Sequence, residues 1–255
     1  MSRLPVLMYH GLHDGPEARG RFDAVYSVRP DDFARQLDAL LERGYHSILL
    51  DALHDGTPLP ARPVVVSFDD GDVSNLEVAV PLLKARGMVA EFFVTSDFID
   101  QPGMLREADV AELARQGMGV GSHGRSHAFL EDLGPVALRE ELESSRLRLS
   151  RICARPIDSL ALPGGRGGRR ERDLALAVGY RHLLGSAPGP NTSPWDGRWM
   201  QRIAVTRNLS EADLMQQVEW TGLAPRLARL RFLALRVPKR LLGNAGYERL
   251  RERLL

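Results

Sequence analysis

Short apolar runs alternate with amphipathic stretches along most of the chain. "PVLMYH" (5–10), "VVVSF" (64–68), "VAEFFVT" (89–95), "MGVGSH" (118–123) and "IDSLALP" (157–163) read as buried strands, and "RHLLGS" (181–186) and "QRIAVTR" (201–207) as shorter ones. Between them lie helical periods. Phe33, Leu37, Leu40 and Leu41 share one face before Gly44 ends the first. Leu76, Val80 and Leu83 do the same between Ser74 and Gly87, and further helices are predicted over 106–117, 135–152, 169–180 and 210–220. Strands alternating with helices of ~10–15 residues predict βαβ units and a parallel sheet. About seven such units predict an α/β fold of irregular (β/α)7-type, an incomplete parallel barrel.

A chain of 255 residues can close one core of this kind, and 44% hydrophobic with 26% charged residues is ordinary for a water-soluble domain. Cys153 is the only cysteine, which excludes an internal disulfide and a cysteine-based zinc site. No stretch approaches the ~18 apolar residues of a membrane span. The apolar run at the start is too short for a secretory signal, so a cytoplasmic location is expected. The net charge of +1 conceals an asymmetry: residues 221–255 hold nine basic side chains and two acids, +7, leaving −6 for the rest. The expected division is a catalytic domain over 1–220 and a basic amphipathic helical extension over 221–255.

In parallel α/β barrels, reactive side chains gather at the C-terminal ends of the strands. Here those ends deliver His10, the pair Asp69-Asp70, then His123 with His127 four residues on, and the turn Pro163-Gly164-Gly165. Taken alone, Asp-Asp-Gly reads as a solvated turn and the two histidines as loop residues. Brought to one rim, two imidazoles and a carboxylate make an ordinary catalytic zinc shell, with the second carboxylate free to act as a base. His13 rivals His10. His46 and His54 read as structural or solvated, and His182 begins a strand, at the wrong end for this rim. Trp195 and Trp199 sit in a Pro/Gly-rich loop, where they either stack on a sugar face or pack the loop down.

"SFDDG" and "GSHGRSHAFL" resemble the first two motifs of the polysaccharide deacetylase family (NodB-like, carbohydrate esterase 4). "ALPGGR" resembles a divergent third motif, and "VLMYHGLHD" the branch whose general-acid histidine precedes the aspartate motif. The resemblance spans about residues 4–215. It implies Asp69 as general base, His10 as general acid, and Asp70, His123 and His127 as ligands of one divalent ion, Zn2+ by first expectation. Pro163, Gly164, Gly165 and Trp195 would face substrate or oxyanion. The implied reaction is hydrolysis of acetyl groups on N- or O-acetylated sugars or polysaccharide precursors, a carbon–nitrogen bond other than a peptide bond in the N-acetyl case, in exopolysaccharide or cell-surface glycan metabolism. The pattern departs at four places: Gly124 replaces the Ser or Thr after the first histidine, Ala161 the third-motif arginine and Gly164 its tyrosine, and the late LxH motif is missing, no histidine following His182. Arg166 is a candidate substitute for orienting the base, although a loop arginine is more often simply solvated. The alternatives are a hydrolase of another acyl amide, or a degenerate barrel that binds glycan or a protein without turnover.

The extension alternates leucine with arginine from Arg226 to Arg253. The first expectation is that it packs across the barrel's open side. A membrane surface at the inner face or a protein partner comes second; nucleic acid comes last, for want of interleaved aromatics.

Overall fold

The computed structural model describes residues 3–234 apart from 55, 57, 194, 196 and 198. The strands are β1 (Arg3–Leu4), β2 (Val6–Tyr9), β3 (His46–Ser47), β4 (Pro63–Phe68), β5 (Glu91–Val94), β6 (Gly119–Ser122), β7 (Ser159–Ala161), β8 (His182–Leu184), β9 (Asn191–Thr192) and β10 (Ile203–Ala204). The helices are α1 (Pro30–Glu42), α2 (Val80–Lys84), α3 (Glu107–Arg115), α4 (Pro135–Cys153), α5 (Arg169–Val178) and α6 (Glu211–Glu219). Seven strands form one parallel sheet in the order β10-β2-β4-β5-β6-β7-β8. This is the incomplete α/β barrel that the alternation predicts. β3 adds a parallel pair to β4, and β1 and β9 form a separate antiparallel pair; the hydrophobic pattern indicated neither of these two-residue pairings.

Strand alternation sorts the side chains into two layers. Val64, Val66 and Phe68 of β4 face the helices and join the larger core, whereas Val65 turns inward with Val6, Phe93, Ala161 and Leu184. Phe68 stacks between Tyr9 and Phe92 at centroid distances of 5.3 and 5.1 Å. Burying each such ring contributes roughly 1.5–3 kcal/mol. The sheet edges meet through residues 200–204: Met200 bridges Leu184 of β8, while Ile203 pairs with Leu7 of β2. Residue 202 therefore sits on the closing segment, between the two edges.

Residues 224–234 are helical. Their apolar stripe does not pack on the barrel: Leu227, Leu230 and Leu233 are 46–62% exposed. This departs from the packing expected of the extension over the part that is described. Arg226, Arg229 and Arg231 belong to this part; Arg236, Lys239, Arg240, Arg249, Arg251 and Arg253 lie outside the described residues. Among the described residues, no helix is long and apolar enough to cross a membrane.

Candidate active site

β4 ends by delivering Asp69 inward, with its N–H donated to Tyr9 O at 2.9 Å. The chain then reverses sharply. Asp70 adopts φ 74° and Gly71 φ 89°, and a Cβ on Gly71 would meet Val94 Cγ1 at 3.0 Å. A non-glycine residue in the left-handed region is uncommon and costs ~1 kcal/mol or more, so this turn is held by its surroundings. The same holds at His127, with φ 66°.

The turn brings Asp70 to the histidines. The Nε2 atoms of His123 and His127 each lie 3.4 Å from Asp70 Oδ1, and one ligand atom from each of the three residues falls within 4.8 Å of the others. Asp70 Oδ1 is buried with no hydrogen-bond donor in good geometry. His123 donates from Nδ1 to Ala161 O at 2.8 Å, which turns the Nε2 lone pair toward the carboxylates. Burial pushes the His123 pKa down to about 4, against the pull of Asp69, so its ring is neutral. Burial works to raise the Asp70 pKa, but the nearby imidazoles, His127 first and then His10 and His123, hold it well below the usual carboxylate range. For a tetrahedral ion with bonds near 2.0–2.1 Å, ligand atoms stand roughly 3.3 Å apart. The donor types and the two 3.4 Å separations fit such an ion.

Asp69 faces the same point from the other side, with Oδ2 3.9 Å from His123 Nε2. Its partner is Arg202, which is fully buried. Arg202 donates to Asp69 Oδ1 and Oδ2 at 2.7 and 2.8 Å, and its Nε donates to Gly185 O at 2.8 Å. Burial acts to raise the Asp69 pKa, but Arg202 and His123 outweigh it and keep the carboxyl below its ordinary value. Arg202, and not the candidate Arg166, is thus the partner of Asp69. Arg166 instead stacks on Phe129, guanidinium carbon 4.3 Å from the ring centroid, and lies 3.9 Å from Glu131. Arg202 stands near the start of "QRIAVTR", where Arg207 is a second cation, and nothing in that stretch marked it as the partner of Asp69.

His10 stacks on Tyr26 at 4.5 Å, and its buried Nδ1 has no hydrogen-bond partner. Its ring lies near enough to Asp69 and Asp70 to help lower both of their pKa values. His13 is held elsewhere, buried between Ser27 Oγ at 2.9 Å and Asp72 Oδ1 at 3.2 Å. Gly124 takes φ 77°, and a Cβ there would press on Glu141 Oε1 at 3.0 Å. Glu141 braces this loop by accepting from Ser126 N at 2.6 Å, work that a side chain at 124 would otherwise do. Of the third-motif turn, Pro163 carries no N–H and Gly165 spends its own on Leu162 O at 2.7 Å. Gly164 is left as the candidate donor, in a turn where a Cβ would strike Phe129 Cε1 at 2.5 Å. Trp195 is partly buried, packs against the inner core and donates from Nε1 to Asn191 O at 3.2 Å, so it pins its loop.

The family model for polysaccharide deacetylase matches residues 56–183, half of the chain. The chain belongs to the polysaccharide deacetylase family. The polysaccharide deacetylase homologue YxkH of Bacillus subtilis (strain 168) is 26% identical over 214 residues, covering 82% of this chain and 74% of YxkH. Among solved structures, the Streptococcus pyogenes deacetylase PplD, in complex with acetate, superposes with a TM-score of 0.75 at 24% identity, over 85% of this chain and 98% of PplD. A de-N-acetylase from Aggregatibacter actinomycetemcomitans gives 0.74 at 19% identity, over 85% and 100%. At these identities the structural likeness carries the deacetylase fold, and the family membership rests on the match over 56–183.

Proposed function

We propose that this polysaccharide deacetylase hydrolyses N-acetyl groups on sugars of a polysaccharide or its precursor, with Asp70, His123 and His127 holding one divalent ion, zinc by preference. The observation that carries this reading is the pair of 3.4 Å separations around Asp70 Oδ1, an acceptor with no donor of its own. Such an ion supplies an acidified water and polarises the acetyl carbonyl.

Asp69 is the general base. Arg202 keeps it ionised, and although both oxygens accept from the guanidinium, each retains a lone pair for the incoming proton. His10 is the general acid that protonates the departing amine, since an amide anion is too poor a leaving group to depart unprotonated. Its unpartnered Nδ1 and its nearness to both aspartates suit that role. Gly164 N–H faces the developing oxyanion. The products are acetate and a free amino sugar. The de-N-acetylase among the structural neighbours favours N-acetyl over O-acetyl substrates. The degenerate-barrel alternative drew its force from the missing third-motif arginine, and Arg202 supplies a partner for the base.

Acetate release from N-acetylated chito-oligosaccharides tests this. Activity should vanish on chelation and return with Zn2+. Asp69→Asn should lower kcat about 10²–10⁴-fold while the ion is retained. Wild-type turnover by the Asp69→Asn protein would overturn the assignment.

A further inference from the structure

The opposite mouth of the barrel holds a second set of donors. Asp51 lies in a single helical turn at 50–53 after β3, Asp158 precedes β7, and His182 opens β8. One ligand atom from each falls within 4.8 Å of the others, the same bound that the Asp70, His123 and His127 atoms satisfy. The three line an open cavity of about 510 Å³. His54 stands beside them, its ring centroid 5.0 Å from that of His182, matching the 5.0 Å between His123 and His127.

His182 is fully buried, yet neither ring nitrogen has a hydrogen-bond partner. Buried imidazole nitrogens without partners cost free energy unless a ligand meets them. The carboxylates are only loosely paired: Arg155 stays 3.7 Å from Asp51 Oδ2 and Arg181 stays 3.8 Å from Asp158 Oδ2, beyond hydrogen-bond reach. The surrounding backbone is nevertheless fixed. Leu50 N–H donates to the buried Glu91 Oε1 at 2.8 Å, and the N–H groups of Arg181 and His182 both donate to Asp158 O, at 2.6 and 3.0 Å.

We propose that Asp51, Asp158 and His182 bind a divalent transition-metal cation at the N-terminal mouth of the barrel. Two carboxylates and an imidazole suit zinc or manganese. The local electrostatics agree with the geometry. Burial, with His54 beside it, holds the His182 pKa down to about 4, which leaves one ring nitrogen with a free lone pair at neutral pH. Burial and Asp51 push the Asp158 pKa up, a like-charge conflict that a cation relieves. The ion would tie three segments far apart in sequence, and so stabilise the mouth without entering the reaction.

Metal uptake by the full chain, stripped with chelator and titrated with Zn2+, tests the proposal. The wild type should take up two ions per chain. The His123→Ala/His127→Ala protein should retain one, and saturating Zn2+ should still raise its Tm by roughly 5 °C or more. Adding Asp51→Asn, an exposed change that leaves the core intact, should weaken that remaining affinity at least tenfold. Loss of all uptake in His123→Ala/His127→Ala, or uptake indifferent to Asp51→Asn, would overturn the second site and leave the catalytic reading standing. A single wild-type ion that survives His123→Ala/His127→Ala and is lost with Asp51→Asn would do the reverse. A Tm rise with inorganic phosphate but not Zn2+ would overturn it by assigning the arginine-flanked cavity to an anion.

Discussion

The two mouths of the barrel are built from the same residue types and differ in how far those residues are held. At the C-terminal rim, Asp69 takes two bonds from a buried arginine, His123 is fixed through Nδ1, and Asp70 and His127 are kept in left-handed backbone. At the N-terminal mouth, the arginines stand off at 3.7–3.8 Å, and neither ring nitrogen of His182 has a hydrogen-bond partner. Catalysis needs reacting groups fixed before substrate arrives, because misplacement by even ~1 Å can cost about a hundredfold in rate. A site that only binds an ion can leave its final geometry to the ion. The contrast lies in the partners of the donors rather than in the donors themselves.

Removing Arg202 should break the rim most severely. Arg202→Met leaves a buried carboxylate without its counter-ion, a loss of about 3–5 kcal/mol. Because the Asp69 pKa is depressed in the folded protein, its stabilisation is present above the unfolded carboxylate value and disappears as pH falls through the folded one. The penalty should therefore be greatest near pH 7 and shrink in acid, as read from urea midpoints across pH. The acid limb of the deacetylation profile should also move to higher pH, since the base then protonates more easily. An unchanged limb would mean that Arg202 does not tune the base.

The other mouth should respond with the opposite sign of pH dependence. Glu91 is fully buried inside the barrel, and burial, aided by Asp51 and Asp158, pushes its pKa up to about 7. A carboxyl raised in the folded state favours folding below its unfolded pKa and loses that advantage as pH rises through the folded value. Glu91→Gln keeps an acceptor for Leu50 N–H and removes the ionisation. In chelator, it should be neutral at pH 4.5 and stabilise by about 3 kcal/mol at pH 8, at 1.36 kcal/mol per pKa unit. Wild-type and Glu91→Gln midpoints that run parallel from pH 4.5 to 8 would show that the mouth carries no such strain.

The same contrast explains what the sequence disclosed. Strand and helix periods were legible because each is a local pattern. Asp69, Asp70, His123 and His127 were legible because chemistry packs them into two short motifs at strand ends. Arg202 was not: it lies 133 residues from Asp69 and meets it only because the segment 200–204 closes the barrel. Asp158 and His182 sit at strand starts and Asp51 in a turn after β3, where no motif joins them and an isolated histidine reads as packing. Glu91 was visible as an acid inside an apolar strand. Its meaning depends on Asp51 and Asp158, which only the folded sheet brings near.

The smallest expected effect concerns Arg166, a candidate from the third-motif turn for orienting the base. Its guanidinium covers Phe129, and Phe129 in turn packs where a Cβ on Gly164 would lie. Arg166→Ala removes that cover and the long contact to Glu131, worth about 0.5–2 kcal/mol for a cation over a ring. The expected result is a fall in Tm of a few degrees and a kcat within about threefold of wild type. The acid limb should stay where it is, because no bond runs from Arg166 to Asp69, whose two oxygens are taken by Arg202. A limb displaced as far by Arg166→Ala as by Arg202→Met would return the tuning of the base to the third-motif turn. It would also remove the distinction between a preorganised rim and a permissive mouth, since the rim's base would then answer to an arginine that does not touch it.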